Sequence, residues 1–433
     1  MVKVITYGTY DLLHYGHVRL LERAKALGDY LIVGVTADDF DKVRGKINVQ
    51  QSLMERVEAV RATGLADEII IEEYEGQKID DIKRYDVDIF TVGSDWVGYF
   101  DYLNEYCKVV YLERTQGVSS SELRAEKREI KLGLVGEVAL VEKVYNESKF
   151  VNGLTVTGIL SKNKDLKLNG VQSYDSYEKL LDDVEAVYVA SEPHSHYKQI
   201  KVALEKGKHV LCETPTSTLL DHNKELIELS KKNNCILMDG LKTAYATAYS
   251  RMLVLVKSGK IGDVVSVEAT CTSLTKLSDQ QWNSFYYWGP TALLPVFNLL
   301  GTQYAKKNII KRSGNNGVDF VKIDFMYDHS VGTIKVGNGV KSEGELVIAG
   351  TKGYIYIPSP WWKTDYFEIR YEDQSQNKRY FYQLDGEGIR YELVSFSKSI
   401  QLDKIISCID CSISNAICKV VEEFDNDKDC YYI

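Results

Sequence analysis

Short β-rich runs alternate with amphipathic helical stretches twice over in this chain, and that alternation limits the fold more than any single motif does. The first series, VKVITYG, YLIVGV, EIIIEE, VDIFTVG and KVVYLER, is interleaved with HVRLLERAKAL, SLMERVEAVRATG and FDYLNEY, whose apolar residues recur at helical spacing. Strands joined through helices pair in parallel, because only a long crossover returns the chain to the same end of the sheet. The charge-dense segment SELRAEKREIK predicts a helix that closes this series. A second series opens with IKLGLVG, runs through a helical stretch to about Ser148, and continues as LTVTGIL, AVYVA, KHVLCE and CILMDG. After about Gly262 the texture changes to VVSVEATCTSL, VDFVKIDFMY, VGTIKVG, GELVIAG and GYIYIP, separated by turn residues, which predicts an antiparallel sheet. Helical patterns return over 386–401 and 412–424. The expected architecture is α/β in three domains: a Rossmann-like domain over 1–129, a doubly wound Rossmann domain over 130–262, and an α+β antiparallel-sheet domain over 263–433.

The length of 433 residues accommodates that division, since a single domain is typically about 150 residues. Lys and Arg number 53 against 62 Asp and Glu, a formal charge of -9, and no basic run gathers the cations into one face. Nucleic acid is therefore not an expected partner. The opening MVKVITYG reads as a strand rather than a leader peptide, and no window approaches the roughly 18 consecutive apolar residues of a membrane span. A soluble, cytoplasmic protein is the expectation. Eight cysteines in so long a chain are not a disulfide framework, and Cys408 with Cys411 forms a lone CxxC without the second pair a zinc site needs.

The chemistry concentrates directly after the first strand, in Gly8-Thr9-Tyr10-Asp11-Leu12-Leu13-His14-Tyr15-Gly16-His17. Gly8 would let backbone approach a ligand closely. His14 and His17 fall at a helix entrance, where unpaired N–H groups and the helix dipole favour an anion. Gly16 leaves space between two imidazoles, so both can donate to a polyphosphate whose charge grows as a bond to its α-phosphorus breaks. A second segment, Arg114-Thr115-Gln116-Gly117-Val118-Ser119-Ser120-Ser121, follows the fifth strand and offers hydroxyls, backbone N–H groups and a permanent cation. Together the two segments predict a triphosphate cradle and nucleotidyl transfer.

GTYDLLHYGH with RTQGVSSSEL resembles the HxGH nucleotidyltransferase family, and within it the glycerol-3-phosphate cytidylyltransferases, over about residues 2–127. The resemblance implies that CTP and a polyol phosphate bind side by side, that Mg²⁺ accompanies the phosphates, and that the enzyme is a homodimer or higher homo-oligomer. It places catalytic roles on His14, His17, Lys46 and Arg114. Nucleotide contacts would fall on Gly8, Thr9, Tyr10, Tyr15, Gly16, Thr115, Gln116, Gly117, Val118, Ser119, Ser120 and Ser121. Arg56, on the helix after the polar loop KVRGKIN, would contact the nucleotide or face water. Arg44 and Lys78 would stand near the acceptor phosphate, with Asp95 and Trp96 lining the base or acceptor pocket. Asp11 would face the metal or the acceptor.

In the second half, PHSH, ALEKGKHVLCETP, ELIELSKKNNCILMDG and LVKSGKIGDVVSVEA together resemble the Gfo/Idh/MocA oxidoreductase family. That resemblance implies a Rossmann domain, a largely antiparallel substrate domain and an NAD(P) cofactor. Three motifs depart from it. Gly133-Leu134-Val135-Gly136-Glu137-Val138-Ala139 has Val138 where another glycine belongs, and Glu137 would bring negative charge towards a diphosphate. Glu213-Thr214-Pro215 replaces the family's lysine with Thr214, which cannot act as a cation or proton donor of that kind. Trp288-Gly289-Pro290-Thr291-Ala292-Leu293-Leu294-Pro295 offers no proton relay. His194 and His196 are expected to cap a helix, and Lys242 and Tyr245 to line a cleft. The reading is a cytidylyltransferase whose dehydrogenase-like half has lost hydride transfer. The alternative is a bifunctional enzyme that makes its own polyol phosphate by reduction.

Overall fold

The structure is a computed structural model that describes residues 1–43, 49–74, 76–113, 129–161, 166–274, 284–314, 317–382 and 384–433. It divides into two compact units, Met1–Arg128 and Glu129–Ile433. In the first, β1 (Lys3–Gly8), β2 (Tyr30–Thr36), β3 (Glu68–Glu72), β4 (Ile89–Gly93) and β5 (Lys108–Leu112) form a parallel sheet of order β3-β2-β1-β4-β5. Helices α1 (Tyr15–Lys25), α2 (Asp38–Val43), α3 (Leu53–Ala62) and α4 (Gln77–Tyr85) supply the crossovers. The strands are apolar throughout, as a sheet covered on both faces requires, with one cluster around Val4, Leu21 and Val33 and another around Ile5, Phe90 and Leu103. FDYLNEY does not form an α-helix. Asp101–Glu105 makes a short 3₁₀ turn, because only the residues between Gly93 and Lys108 are available to return the chain from β4 to β5. The closing helix expected in SELRAEKREIK falls almost wholly on residues outside the description.

The second unit begins with another parallel sheet, β11-β10-β9-β6-β7-β8, from β6 (Ile130–Gly136), β7 (Leu154–Leu160), β8 (Gln172–Ser173), β9 (Ala186–Ala190), β10 (His209–Glu213) and β11 (Leu237–Gly240). The remaining strands, β12 (Val264–Ser273), β13 (Lys306–Gly314), β14 (Gly317–Met326), β15 (Val331–Asn338), β16 (Leu346–Gly350), β17 (Tyr354–Ile357), β18 (Tyr366–Arg370), β19 (Lys378–Phe381) and β20 (Cys430–Tyr432), build one nine-stranded sheet among the described residues. Its order is β19-β18-β17-β16-β12-β15-β14-β13-β20, and it is mixed rather than antiparallel. Between β12 and β15 lie the apolar helix Ser284–Leu300 and the β13–β14 hairpin, a crossover long enough for β12 and β15 to pair in parallel. The last strand, β20, also joins β13 in parallel. Helices Ile389–Leu402 and Cys411–Asp425 occupy the two late segments where helical spacing predicts them.

Candidate active site

The strand order of the first unit reverses at β1, whose neighbours are β2 on one side and β4 on the other. Ligands of open parallel sheets bind outside the strands' carboxyl ends at such a switch point. Two of the expected site segments leave from that crevice: residues 9–14 from the end of β1, and Ser94-Asp95-Trp96 from the end of β4.

The β1 turn is tightly wound. Tyr10 and Leu12 both adopt positive φ, 54° and 48°, a region L-residues rarely occupy and which persists only where surroundings hold it. Tyr10 is buried, its ring lying beneath Gly8, where an added β-carbon would stand 3.0 Å from the ring. The glycine at position 8 thus makes room for a neighbouring side chain; sequence alone suggested room for a ligand. Asp11, expected to face a metal or the acceptor, is also buried. Its Oδ1 accepts backbone N–H bonds from Gln50 at 2.9 Å and Gln51 at 3.0 Å, tying the turn to the approach of α3.

His14 is the N-cap of α1: its Nδ1 accepts the Gly16 N–H at 3.1 Å. An acceptor at Nδ1 puts the proton of the neutral ring on Nε2, the form that donates to a phosphate oxygen. His17 stacks on His14 with ring centroids 3.9 Å apart and meets the edge of Tyr10 at 5.6 Å. The first turn of α1 contains no acidic residue to offset its N-terminal potential. Tyr15 is exposed beside it. Two imidazoles and a helix N-terminus therefore share one short stretch of surface, an arrangement suited to a polyanion.

Arg56 neither faces water nor keeps donors aimed at open solvent. It is fully buried and donates to the carbonyls of Thr9 at 2.6 Å, Thr36 at 2.8 Å and Gln51 at 3.2 Å. It also pairs with Asp38 and, at 3.5 Å, with buried Asp41, which in turn accepts the Thr9 hydroxyl at 2.7 Å. The capping box of Ser52 and Glu55 starts α3 one turn earlier and so fixes where Arg56 stands. The side chain stitches the ends of β1 and β2 to α2 and α3, holding the turn that carries the histidines.

Lys78, expected beside the acceptor phosphate, is buried, ion-paired to Glu72, and lies 4.7 Å from the Tyr7 ring centroid. Glu72 is also held by the Thr36 hydroxyl at 2.8 Å. A phosphate would have to compete with that carboxylate. Trp96 packs edge-on against Tyr99 at 5.4 Å, with Asp95 in the same 3₁₀ turn. Arg44, Lys46 and the whole segment Arg114, Thr115, Gln116, Gly117, Val118, Ser119, Ser120 and Ser121 lie outside the described residues. Among those described, no three carboxylate, imidazole or thiolate groups converge as a metal site, and one oxygen of Asp11, Oδ1, is taken up by two backbone N–H bonds.

In the second unit, Gly136 has φ 132° and touches the Ala190 carbonyl so closely that a β-carbon would sit 2.2 Å from it. Exposed Glu137 follows as N-cap of the helix Val138–Ser148 and makes no side-chain capping bond. His196 is buried with its ring nitrogens 2.8 Å from Pro215 O and Ser191 O; burial lowers its pKa, and the neutral ring donates to one of the two, so it is a structural imidazole. Tyr245 is likewise buried, its hydroxyl donating to Asp239 O at 2.7 Å. Lys242, by contrast, belongs to a cluster that no local motif announced. Tyr188 donates to Glu213 at the end of β10, Glu392 approaches the same group, and Lys242 acts on both carboxylates. Burial pushes both carboxyls above their usual range, with mutual repulsion adding at Glu392.

A family model described as Cytidylyltransferase-like matches residues 5–128, and one described as an oxidoreductase family with an NAD-binding Rossmann fold matches residues 131–241. Over its first unit the chain belongs to the cytidylyltransferase-like family, which makes it a nucleotidyltransferase. The particular relatives are glycerol-3-phosphate cytidylyltransferases. That of Bacillus spizizenii is 49% identical over 126 residues, 29% of this chain and 97% of the relative, and that of Staphylococcus aureus is 46% identical over 130 residues, 29% and 95%. For the remainder, a 3-ketoreductase from Actinomadura kijaniata, solved with NADP and TDP-benzene, superimposes with a TM-score of 0.63 at 17% identity, covering 71% of this chain and all of that one. The chain joins a cytidylyltransferase unit to a Gfo/Idh/MocA-like fold. No helix among the described residues is long and apolar enough to cross a membrane.

Proposed function

We propose that the first unit transfers a cytidylyl group from CTP to a polyol phosphate, with glycerol phosphate the acceptor its relatives favour, releasing pyrophosphate. The observation that carries this reading is the stacked His14–His17 pair at the N-terminus of α1, beside the switch point of the sheet. A phosphate oxygen of the acceptor attacks the α-phosphorus, and the bond to the bridging oxygen breaks with its electrons leaving on pyrophosphate. No enzyme nucleophile is needed. The two imidazoles and the amides of α1 meet the charge that grows on the leaving group, where preorganised donors are worth most. Lys46 and Arg114 to Ser121 would complete the triphosphate cradle. Asp11 and Arg56 act by shaping the turn. Mg²⁺ would travel on the nucleotide phosphates and supply charge neutralisation there.

The product would serve synthesis of teichoic-acid-like or capsular polymers, and the enzyme would work as a homo-oligomer. The second unit, with Thr214 in place of a lysine and Glu137 at the helix entrance, reads as a fold that has lost hydride transfer. The retained cluster of Tyr188, Glu213 and Lys242 favours the second reading, a reductase that prepares the polyol phosphate using NAD(P)H. Incubation with CTP, Mg²⁺ and glycerol 3-phosphate should release pyrophosphate, and His17→Ala should remove that activity. Failure to turn over any polyol phosphate would sink the assignment. Calorimetry with NADPH separates the two readings of the second unit: heat of binding supports the reductase, and none supports the loss.

A further inference from the structure

Three lysines distant in sequence converge on one carboxylate in the second unit. Lys363 reaches Glu387 at 2.9 Å, Lys242 at 3.0 Å and Lys143 at 3.4 Å. They come from a 3₁₀ turn at Trp361–Lys363, from the end of β11, and from the helix Val138–Ser148. Glu387 stands in the left-handed region at φ 56°, between Gly386 at 56° and Gly388 at 96°. A non-glycine residue is uncommon there, and here its side chain is held by the three ammonium groups. The neighbouring acids Glu147 and Asp385 are taken up by Arg390, so Glu387 is the carboxylate that the three ammonium groups share, while Lys242 also faces Glu213 and Glu392 on its buried side. The side chains of Lys242, Lys363 and Glu387 are each about a third exposed, at 30%, 36% and 36%, which leaves the group open to a solute.

The deeper side of Lys242 holds a second clue. Glu392 is 1% exposed, and the one donor near its carboxyl oxygens is the Tyr188 hydroxyl, which is already donated to Glu213, so two buried carboxyls share a single donor. Buried polar groups are nearly always satisfied, and one left open beside a cationic cluster points to a ligand that completes it. Glu392 shares its surroundings with Glu213, Tyr188 and Lys242. Burial and the like neighbour Glu213 both favour the neutral form of Glu392, the form that can donate to a ligand hydroxyl.

We propose that Lys143, Lys242 and Lys363 form a site for the phosphate of a hydroxylated phosphate ester, and that Glu387 fills it as an internal stand-in until the ester displaces it. The phosphate dianion answers the charge that one carboxylate leaves, and lysines bind phosphate as point charges without demanding one geometry. The ester's hydroxyls complete Glu392 and Glu213. Glu387 is desolvated, which would raise its pKa, yet the bonds from Lys363 and Lys242 win and bring it to about 2. The stand-in therefore stays ionised at any working pH, and displacement is by competition rather than protonation. The site belongs to the second unit and stands whether or not the first transfers cytidylyl groups.

The test uses the full chain and calorimetric titration with glycerol 3-phosphate, glucose 6-phosphate, inorganic phosphate and glycerol. Glucose 6-phosphate and inorganic phosphate should give a heat that Lys242→Met/Lys363→Met abolishes while pyrophosphate release by the first unit is unchanged; in that variant glycerol 3-phosphate should keep only the heat of the first unit's acceptor site, and glycerol should give none. Comparison of the two esters with inorganic phosphate tells whether the hydroxyls contribute. Glu387→Gln, which removes the competing charge, should tighten binding about tenfold. If no phosphate gives a lysine-dependent heat, or Glu387→Gln binds no better than wild type, the proposal is wrong. Hydrogen exchange on the wild-type protein decides the matter without a variant: residues 385–389 should exchange faster when the ester is added, and unchanged or slower exchange overturns the displacement.

Discussion

The two units are built on the same plan and carry their chemistry in opposite ways. In the first, both expected imidazoles lie within the ten residues Gly8–His17, on a turn leaving the switch point of a parallel sheet. In the second, the corresponding sheet edge has a threonine where a hydride-transfer lysine is expected, and its charged groups are gathered from positions as far apart as Lys143 and Glu392. A fold supplies the edge, and only particular side chains supply a reaction.

The sharpest way to break this comparison is to remove the support under the contiguous motif. Arg56→Met removes the guanidinium paired with buried Asp41 and its donors to three carbonyls. Breaking a buried pair costs about 3–5 kcal/mol. The urea transition of the first unit should shift down accordingly, and pyrophosphate release should fall even under folding conditions because the His14–His17 turn loses its tie. A transition unchanged within about 1 kcal/mol would mean that the turn is held by something else. Next in size, His17→Ala should slow cytidylyl transfer by about 10²–10³-fold, the usual cost of one preorganised donor, with little change in stability. A loss expressed only in KM would move His17 from the transition state to ground-state binding.

Much of this was legible because it is local. The two alternating series, the strands and the imidazole turn all rest on neighbours in sequence, and the structure places the expected strands of both series where spacing predicts them, although FDYLNEY forms a 3₁₀ turn and not a helix. What spacing could not reveal is contact at long range. Arg56 reads as a nucleotide contact or a solvent-facing residue until Thr9, Thr36 and Asp41 surround it. Lys78 reads as a cation beside the acceptor phosphate until Glu72 takes it. Lys242 and Glu387 are 145 positions apart, and no local pattern links them. The mixed sheet was misread for the same reason: alternation defines a strand's faces and says nothing of its partner's direction, which the Ser284–Leu300 crossover decides.

The second unit also carries two carboxylates with opposite pH signatures. Burial pushes Asp239 up from 3.8 to about 6, only partly offset by the Ser414 hydroxyl. The folded state thus holds a proton that the unfolded chain has released, so this contribution is full below pH 4 and is lost as pH rises through 6. Asp239→Asn should flatten the pH dependence of unfolding in that window. Glu387 does the reverse: its contribution is present above the ordinary carboxylate pKa and disappears as pH falls towards 2. Stability that rises between pH 4 and 6 in wild type and not in Asp239→Asn would contradict the assigned sign.

The smallest expected effect bears most directly on whether the second unit still has a use for a dinucleotide. Glu137 is exposed at the N-terminus of the helix Val138–Ser148, where the diphosphate of a bound nicotinamide dinucleotide would meet the helix dipole. At solvent dielectric, a unit charge about 4 Å from another contributes about 1 kcal/mol. Glu137→Gln should therefore tighten NADPH binding by no more than about fivefold, and less at high salt. A gain of that size would locate residual cofactor affinity at this helix and make repulsion part of the reason it is weak. No gain, with wild-type binding already tight, would mean that the dinucleotide approaches by another path, and the contrast between an equipped first unit and a stripped second one would have to be redrawn.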